Sequence, residues 1–340
     1  MLAAHARVTG ARVTSKVGLV AIGRNEGERL VRCLTSVLGR VDRVVYVDSG
    51  STDGSADRAR ELGADVLDLD LSRPFTAARA RNEGFARLMS IDPSIARVQF
   101  VDGDCEIVPG WIEAAMKTLD ARDDVAVVCG RRRERFPDAS IYNRVIDVEW
   151  DTPVGEALAC GGDAMMRVEA FRAVDGYDGS LIAGEEPDLC LRLRARGWRI
   201  LRIDHEMTLH DAAITELRQW WQRAVRSGHA YAEGAHKHGR GPERHWVKET
   251  RRIVLWGAVI PGLALAGAPF TGGLSLSLFA GYPVSAYRAF RAVRRRGVPM
   301  ESAAAYAAFM VLAKGAELEG ALRFWRNRAR GEKSGLIEYK

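Results

Sequence analysis

The sequence predicts an α/β fold with a mostly parallel sheet flanked by helices, followed by a C-terminal α-helical region. Two observations lead to this prediction. In the first half of the chain, short β-branched runs alternate with segments whose apolar residues recur at helical spacing, a pattern typical of βαβ units and of a parallel sheet. In the final third, residues 253–287 carry no charged side chain, whereas arginines are concentrated on both sides of them.

Five strands are predicted, and a helical segment follows each of the first four. The strands cover residues 17–22, 43–48, 64–70, 97–102 and 125–130. The helices follow at "EGERLVRCLTSVLG", "STDGSADRARELG", "TAARARNEGFARLM" and "GWIEAAMKTL". Open sheets of this kind bind ligands beyond the carboxyl ends of their strands. The acids at two such ends, Asp48 and Asp102, are therefore candidate site residues.

The composition is that of a folded protein with no obligatory nucleic-acid partner. The chain has 340 residues, enough for one large α/β domain and an appendage. Hydrophobic residues make up 47% of it, which is ample for a core, and charged residues make up 28%, which argues against wholesale disorder. The net charge of +6 is modest and is carried by arginine clusters, so binding to nucleic acid is not demanded.

The cysteines and the first residues bear on the cellular compartment. The five cysteines are far apart and include no CxxC pair, so neither a disulfide framework nor a zinc knuckle is indicated. A reducing, cytosolic setting fits this usage best. Residues 1–15 contain no long apolar stretch, so we expect an N-terminal extension there rather than an ordinary secretory signal.

The segment "FVDGDCEIVPGW" places two acids, Asp102 and Asp104, where a buried strand ends. Two carboxylates repel a bare phosphate, but they can hold a hard divalent cation that in turn binds a diphosphate. A strand-end acid can also accept hydrogen bonds from ribose hydroxyls. Since Asp-Gly is a common turn, this short motif by itself leaves a purely structural role open.

Six segments resemble, in order, those of family 2 glycosyltransferases with the GT-A fold, the fold of nucleotide-diphospho-sugar transferases. The resemblance covers roughly residues 16–230. It predicts a GT-A catalytic domain over 16–235, followed by a C-terminal helical region over 236–340. The six segments are "LVAIGRNEGERLVRCLTSV", "VVYVDSGSTDGS", "AARARNEGF", "FVDGDCEIVPGW", "CGGDAMMRVEAFRAVDGYD" and "GEEPDLCLRLRARGW".

The resemblance implies a nucleotide-sugar donor and a divalent metal, Mg or Mn. Asp48 would face the base, Asp102 would contact the ribose or the metal, and Asp104 would ligate the metal. The metal would neutralise the departing nucleoside diphosphate. Arg79 is the alternative to Arg81 as a cation near the phosphates, and either arginine could instead be solvated on a helix face. The residues implied to bind the nucleotide-sugar are Gly23, Arg24, Glu26, Asp48, Arg81, Asp102 and Gly103.

The segment "AGEEPDLC" is expected to supply the catalytic base. An acceptor hydroxyl has a pKa far above neutrality, so a positioned carboxylate must take its proton as the hydroxyl attacks. The resemblance puts Glu186 at the base position, where the family usually has aspartate. The longer side chain leaves open whether Glu186 or Glu185 acts. These acids also fit as a cap of the helix that follows, and the two roles are compatible.

The resemblance also implies a third metal ligand and a set of acceptor-binding residues. His210 ends the strand-like run "RIDHEMTLH", and together with Asp102 and Asp104 it would complete the metal site. A lone histidine is otherwise more often structural. Trp220 and Trp221 lie in a Trp-Arg-rich segment, although a tryptophan pair in a helix is more often part of a core. Acceptor binding is assigned to Gly161, Gly162, Asp163 and Trp221.

The uncharged run at 253–287 predicts an apolar helical hairpin. A single membrane span needs ~20 apolar residues, and "APFTGG" breaks the run into two shorter halves. Arginines on both flanks place both ends in the cytoplasm. We therefore expect a hairpin or a re-entrant pair that holds the catalytic domain at the inner face of the cytoplasmic membrane. A buried hairpin in a soluble domain is the alternative.

Two further C-terminal segments point to a membrane partner. Residues 302–313 are too few to cross a bilayer, and we expect them to lie against its surface. The segment "RFWRNRARGEK" is basic and interleaved with aromatic residues. Anionic lipid headgroups explain this composition better than nucleic acid does, because an apolar run is close by.

The sequence thus predicts a glycosyltransferase that moves a sugar from a nucleotide-sugar to a hydroxyl acceptor by metal-assisted displacement, with inversion implied by the resemblance. The acceptor is expected to be a lipid-linked saccharide or a surface-glycan precursor. A haloacid-dehalogenase-type phosphatase is an alternative, but that family has Thr or Val at the position that Glu106 occupies here. A membrane adaptor with an inactive site is the other alternative, and the presence of both acid pairs speaks against it.

Overall fold

Nine strands of the described chain, residues 15–332 and 334–338, form one sheet in the computed structural model. The predicted extension at 1–15 lies almost entirely outside the described residues. The strands are β1 (Val17–Gly23), β2 (Arg43–Asp48), β3 (Asp65–Asp68), β4 (Arg97–Asp102), β5 (Cys105–Ile107), β6 (Val125–Glu134), β7 (Gly155–Ala157), β8 (Ala164–Arg167) and β9 (Arg199–His210). Their order is β3-β2-β1-β4-β8-β6-β9-β5, and β7 pairs with β9 beside this row.

The sheet is mixed, so the prediction of a mostly parallel sheet is wrong for one half of it. β3, β2, β1 and β4 are parallel, at or close to the predicted bounds. β8 runs antiparallel to both β4 and β6, and β5 and β7 run antiparallel to β9. The strands that reverse direction are three or four residues long, too short to give the alternation by which a strand is detected in a sequence.

Helices pack against this sheet and continue beyond it. α3 contacts β1 and β2, while α4 contacts β6 and β9. In the described residues the helices are α1 (Glu28–Thr35), α2 (Ser55–Glu61), α3 (Ala77–Ile91), α4 (Trp111–Ala121), α5 (Ile141–Trp150), α6 (Val168–Ala173), α7 (Glu185–Ala195), α8 (Leu217–His238), α9 (Val247–Val254), α10 (Ile260–Gly267), α11 (Gly281–Arg294) and α12 (Met300–Ala329).

The central strands fix where the site lies. Leu19, Val45 and Phe100 are fully buried in β1, β2 and β4, as expected for parallel strands covered by helices. The register places the carboxyl ends of these strands side by side, because Gly23 pairs with Asp48 and Ile22 pairs with Asp102. The acids that end β2 and β4 are therefore held at one edge of a rigid core.

The C-terminal helices pack on the catalytic domain. α8 runs through the predicted domain boundary at residues 235 and 236, and α12 packs along α8 and also contacts α5 and α11. The predicted surface segment 302–313 is part of α12. A Cβ atom on Gly228 would overlap the backbone of Glu317, and one on Gly320 would overlap the carbonyl oxygen of Val225. Glycine at these two positions therefore permits the close approach of α8 and α12.

Substituting Gly320 by alanine is expected to destabilise the protein by about 1–3 kcal/mol, because the added methyl group must push α12 away from α8. Gly262 is the matched control, since it lies in α10 and a Cβ atom added there would meet no neighbouring part of the described chain within 4 Å. Gly262→Ala should be neutral or stabilising through helix propensity. Urea unfolding of both variants measures the difference, and equal stabilities would contradict the close packing.

Residues 253–287 form a helical hairpin. A π-helical turn (Leu255–Val259) and α10 make the first arm, and a 3₁₀ segment (Leu274–Ala280) leads into α11. The predicted break lies between them, where Gly272 and Gly273 have positive φ. Apolar side chains at and near its tip are exposed, among them Phe270 at 89% and Leu274 at 75%. None of the helices in the described part of the chain is both long enough and apolar enough to cross a bilayer.

Candidate active site

A cavity of about 530 Å³ lies beyond the carboxyl ends of β1 and β4, within the size range of small-molecule sites. The loop after β1, the end of β4, the first turn of α7 and the end of β9 all contribute to its wall. Most of the predicted site residues line it: Gly23, Arg24, Glu26, Arg81, Asp102, Gly103, Asp104, Gly162, Glu185, Glu186 and His210. The structure therefore brings together residues that are distant in the sequence.

Arg81 is the central cation of this cavity. Its side chain is 3% exposed, and it donates to Asp102 Oδ1 at 2.7 Å and to Glu185 Oε1 at 2.9 Å. The same guanidinium lies 3.2 Å from Glu186 Oε1. Arg79, its predicted alternative, instead pairs with Glu83 and donates to backbone carbonyls. Of the three arginines on α3, only Arg81 lines the cavity.

Asp102 is held by two arginines. Arg132 Nη2 lies 3.3 Å from Asp102 Oδ2, opposite the contact that Arg81 makes with Oδ1. Burial alone would raise the pKa of Asp102, but attraction to Arg81 and Arg132 outweighs it and lowers the pKa below the ordinary value. Asp102 is therefore ionised at neutral pH. A Cβ atom on Gly162 would come within 2.9 Å of Asp102 Oδ2, so glycine is needed there.

Asp104 and His210 form the candidate metal cluster. β5 and β9 pair Cys105 with His210, which brings His210 Nε2 to 3.4 Å from Asp104 Oδ1. Their ligand atoms and the Cys105 sulfur lie within 4.8 Å of one another. Burial raises the pKa of the Cys105 thiol well above its ordinary value, so a neutral thiol is expected there. The carboxylate and the imidazole are the better ligands for Mn or Mg.

Glu134 lies behind the His210 ring. The Nδ1 atom of His210 is buried, makes no hydrogen bond to the described residues, and lies 3.8 Å from Glu134 Oε2. This separation is longer than a hydrogen bond, so Glu134 places negative charge near the ring but does not fix it by a hydrogen bond in this structure. Asp102, the third predicted ligand, belongs to a second group, with Cys105 and Asp163, which shares Cys105 with the first group. The predicted set of three ligands is thus divided in this structure.

Glu186 and Glu185 begin α7 but differ in environment. The Glu185 side chain is 4% exposed and bonded to Arg81, whereas the Glu186 side chain is 15% exposed. Burial raises the pKa of Glu186 to about 7, and repulsion from Glu185 adds to the shift. A carboxyl group with a pKa near the working pH is well matched to proton transfer. This environment favours Glu186 as the base and Glu185 as a partner of Arg81.

Four predicted site residues lie outside the lining of this cavity: Asp48, Gly161, Asp163 and Trp221. The Asp48 carboxylate accepts the backbone N–H groups of Gly50 and Ser51 at 3.0 and 2.7 Å, so it shapes the loop after β2. Trp221 donates to Glu319 at 2.8 Å and packs from α8 against α12. Trp221 therefore has a packing role in this structure, and its contact with the acceptor stays a prediction.

Asp163 is fully buried, which corrects its predicted contact with the acceptor. Its carboxylate accepts hydrogen bonds from Arg132 Nε at 2.9 Å, from Thr208 Oγ1 at 2.7 Å and from the backbone N–H of Asp102 at 3.2 Å. Its position in the chain is two residues after Gly161, in the loop that leads to β8. Asp163 thus holds Arg132 and the end of β4 in place, and it acts on the site through them.

Arg132 and Trp150 are two site residues that sequence reasoning missed. The guanidinium of Arg132 lies 5.3 Å from the centre of the Trp150 ring, and that ring packs edge-on against His210 at 4.6 Å. Both residues line the cavity. The sequence signal was the run "RRRE" after the fifth predicted strand. β6 continues through this run to Glu134, and a longer predicted strand would have carried Arg132 toward the site.

Replacing Arg81 by methionine is expected to destabilise the protein by about 3–5 kcal/mol, because three carboxylates lose their buried partner. Arg87→Gln is the matched control on the same helix. Its ion pair with Asp65 is exposed, and such pairs contribute at most about 1 kcal/mol. Urea unfolding at neutral pH measures both. Equal losses would mean that Arg81 does not hold the three acids together.

Comparison with known proteins identifies the class of protein. Residues 20–175 match the family described as "Glycosyl transferase family 2". The mannosyltransferase of Pyrobaculum calidifontis, solved with GDP-Man and Mn2+, superimposes with a TM-score of 0.56 at 17% identity, over 88% of each chain. The mixed sheet and its flanking helices are therefore of the GT-A type. The chain is a glycosyltransferase, and the phosphatase alternative is excluded.

The sequence relatives agree with this family. The succinoglycan biosynthesis protein ExoA of Rhizobium meliloti is 27% identical over 249 residues, which are 69% of each protein. A pre-mycofactocin glycosyltransferase of Mycobacterium tuberculosis is 28% identical over 253 residues, which are 69% of this chain and 51% of that protein. Residues 20–175 therefore form a domain of glycosyl transferase family 2, as the motifs predicted.

Proposed function

We propose that this enzyme transfers a sugar from a nucleotide-sugar donor to a hydroxyl group of a lipid-linked saccharide or surface-glycan precursor, with inversion and with a divalent metal. The observation that carries the proposal is the shared cavity. Glu186, whose pKa is raised to about 7, and the Asp104–His210 cluster both line it. A base and a metal site in one cavity are the two parts that a displacement at an anomeric carbon needs.

The donor side is formed by the loop after β1 and the end of β4. Gly23, Arg24 and Glu26 line the cavity next to Asp102 and Gly103. We assign these residues to the nucleotide-sugar, in agreement with the GDP-Man held by the Pyrobaculum calidifontis mannosyltransferase. Arg81 and Arg132 lie beside Asp102, so two guanidinium groups, which are suited to phosphate oxygens, border the donor side.

The metal would be held by Asp104 and His210, and a carboxylate oxygen suits both Mg and Mn. When bound, the ion supplies positive charge that stabilises the leaving nucleoside diphosphate. The Pyrobaculum calidifontis structure contains Mn2+, which supports a divalent metal here. Asp102 is positioned by its two arginines to accept hydrogen bonds from the donor.

Glu186 would act as the base. As the acceptor hydroxyl oxygen forms its bond to the anomeric carbon, Glu186 takes the hydroxyl proton, and the bond to the nucleoside diphosphate breaks with its electron pair on the phosphate oxygen. Attack from the side opposite the leaving group inverts the anomeric carbon. Arg81 donates a hydrogen bond to Glu185 and lies 3.2 Å from the Glu186 carboxylate. Glu185 is therefore the partner of Arg81, and Glu186 is the base.

The reaction class is tested by offering the purified enzyme a panel of nucleotide-sugars and, separately, simple phosphate esters. Thermal shift with and without Mn or Mg finds the donor that binds, and release of nucleoside diphosphate then reports turnover. We expect metal-dependent stabilisation by at least one nucleotide-sugar and no hydrolysis of phosphate esters. Hydrolysis of the esters without any response to nucleotide-sugars would contradict the proposal.

We further propose that the hairpin at 253–287 holds the enzyme at the inner face of the cytoplasmic membrane. Support comes from the exposure of its apolar side chains, Leu263 at 59% and Leu265 at 63% in addition to Phe270 and Leu274. Arginines between residues 288 and 296 follow it, and each contributes about 1 kcal/mol of attraction to an anionic surface. An anchored enzyme meets a lipid-linked acceptor where that acceptor resides.

Fractionation of cells with a carbonate wash is expected to leave the full-length protein with the membrane. Replacing Leu263, Leu265 and Phe270 by serine should release it into the soluble fraction, because each loses about 1.5–3 kcal/mol of apolar burial in lipid. Leu71→Ser, at an exposed position outside every predicted membrane segment, is the control. If the unaltered protein were recovered in the soluble fraction without detergent, the hairpin would be no anchor.

A further inference from the structure

A second cavity of about 570 Å³ adjoins the active site. It lies between α7 and the segment that leads through α9 to the hairpin. Pro187 and Trp246 line both cavities, and Pro187 directly follows the proposed base, Glu186. Whatever occupies the second cavity is therefore next to the group that receives the acceptor's proton.

The lining of this cavity is basic, and its cations are available. Arg194 is the exception, because it pairs with Glu243. The other basic side chains make no ion pair and no hydrogen bond with any described residue: Arg244, Lys248, Arg251 and Arg252. Glu249 is the remaining acid of the lining. A concave surface with several unpaired cations concentrates anions, and arginine is suited to phosphate oxygens.

The wall shared by the two cavities is rigid. Trp246 stacks on His245 with ring centres 4.3 Å apart, and it meets Tyr231 edge-on at 5.0 Å. Cβ atoms on Gly184 or Gly234 would collide with the indole ring, so this tryptophan is tightly held between α7 and α8. An aromatic wall beside Glu186 gives a sugar a surface on which to pack.

An apolar surface begins where the basic cavity ends. Leu255 lines the cavity, is 43% exposed, and starts the first arm of the hairpin. Beyond it the apolar side chains of the hairpin face outward. A molecule that matches this sequence of surfaces has a sugar, then a phosphate, then a hydrocarbon chain. Neither a soluble glycan nor a free phosphate has all three parts.

We propose that the basic cavity binds the phosphate group of a lipid-linked saccharide acceptor and directs its sugar to Glu186. This inference rests on the proposed function, since it names the acceptor class of that site. Phosphate chemistry alone would also admit a phospholipid headgroup or free phosphate. The lipid-linked acceptor is favoured because the cavity adjoins the cavity of the catalytic base at Pro187 and Trp246 and reaches the start of the hairpin at Leu255.

The test compares two pairs of arginines that flank the same hairpin. Arg251→Gln with Arg252→Gln removes two cations of the cavity. Arg288→Gln with Arg295→Gln is the matched control, because both arginines are exposed, lie outside the cavity lining and make no ion pair with described residues. Binding of the full chain is measured to farnesyl diphosphate, farnesol, inorganic pyrophosphate, and vesicles with and without phosphatidylglycerol.

Farnesyl diphosphate is expected to bind the unaltered enzyme at least tenfold more tightly than farnesol or pyrophosphate, and the cavity variant should lose at least tenfold while the control does not. If both variants lost the same affinity for farnesyl diphosphate and for phosphatidylglycerol vesicles, the arginines would only attract anionic headgroups in general. Pyrophosphate binding as tight as that of farnesyl diphosphate would assign the cavity to free phosphate. Either result overturns the proposal.

The proposed function has a separate readout in the same variants. Metal-dependent donor binding uses Arg24, Asp104 and their neighbours, none of which lines the basic cavity. Thermal stabilisation by the nucleotide-sugar should therefore be unchanged in the Arg251→Gln, Arg252→Gln protein. If donor binding were absent in every form of the enzyme, the proposed function would fail whatever the farnesyl diphosphate result.

A different observation concerns residues 334–338, three of which line the active-site cavity. Leu336, Ile337 and Glu338 line it. Ile337 is 2% exposed and packs with Ile182, Val225 and Ala316. Ser334 is held by His229 at 2.8 Å and by Asn327 at 3.3 Å. Glu338 forms an ion pair of 2.8 Å with Arg24. Residues 334–338, which we call the strap, are therefore anchored at three points.

We infer that the strap is an autoinhibitory contact, because Glu338 pairs with Arg24, which the proposed function assigns to the nucleotide-sugar. Glu338→Gln should lower the dissociation constant for the nucleoside diphosphate severalfold, and truncation after Glu332 should do the same. Glu332→Gln, at an exposed position before the strap, is the control. Weaker nucleotide binding in Glu338→Gln, or no change in both strap variants, would overturn the inference.

Discussion

Replacing Glu186 by glutamine is expected to lower turnover about a thousandfold while leaving donor binding unchanged. The amide keeps the shape of the side chain but cannot accept the proton of the attacking hydroxyl, and general-base catalysis contributes about 10²–10⁴-fold to rate. Single-turnover transfer with saturating donor measures the effect, and thermal shift with the nucleotide-sugar checks that binding persists. A fall confined to donor affinity would instead place Glu186 among the donor or metal contacts.

The role of Glu186 as the base also predicts how turnover depends on pH. Burial and repulsion from Glu185 raise the pKa of Glu186 to about 7, so the carboxyl group is protonated and inactive below that pH. Turnover should therefore fall tenfold for each unit of pH below about 7. Substituting Glu185 by glutamine removes one repelling charge, so this limb should move to lower pH. A limb that stays in place in the Glu185→Gln protein would contradict the assignment.

The parallel half of the sheet was predictable because local sequence patterns define its strands, and the ends of these strands carry candidate site residues. β2 and β4 have the predicted bounds, and both end in an acid. In parallel strands those ends must meet at one edge of the sheet, so Asp48 and Asp102 were placed near each other by topology alone. Which acids face the cavity was not predictable in this way. Asp48 turns into its own loop, whereas Asp102 does not.

The rest of the site depends on long-range pairing that no local pattern records. β5 pairs with β9 across about a hundred residues of chain, and that register alone brings His210 to Asp104. Arg132 could not be distinguished from its two neighbouring arginines by sequence. Asp163 lies in a motif that the resemblance associates with the acceptor. Each charge is paired with a residue from a different part of the chain. Tertiary context therefore decides which polar residues act and which support them.

Burial also explains how two adjacent glutamates differ. Glu185 lies against Arg81 and is almost fully enclosed, so its charge is neutralised in place. Glu186 has the same chemistry one residue later on α7 but retains an opening to the cavity. An ion pair for Glu185 and a raised pKa for Glu186 therefore divide the roles of the two acids. The sequence alone offered two neighbouring candidates, with Glu186 ranked before Glu185.

Replacing Asp104 by asparagine is expected to abolish metal-dependent binding of nucleoside diphosphate and to lower turnover about a thousandfold or more. The substitution removes an ionised ligand, and the lost charge stabilisation of the leaving group is worth several kcal/mol in the transition state. The fold should persist, because Asp104 lies at the rim of the sheet and asparagine has the same shape. Calorimetry with Mn and nucleoside diphosphate measures binding, and circular dichroism checks the fold.

Cys105→Ala is the matched control for Asp104→Asn. The thiol lies in the same cluster of ligand atoms, but burial raises its pKa, so a neutral thiol should contribute little to a hard cation. Metal-dependent binding should therefore survive in Cys105→Ala and be lost in Asp104→Asn and in His210→Ala. Unchanged Mn-dependent affinity in the Asp104→Asn protein would remove the metal from this cluster, and loss in the cysteine variant alone would assign the site to a thiolate instead.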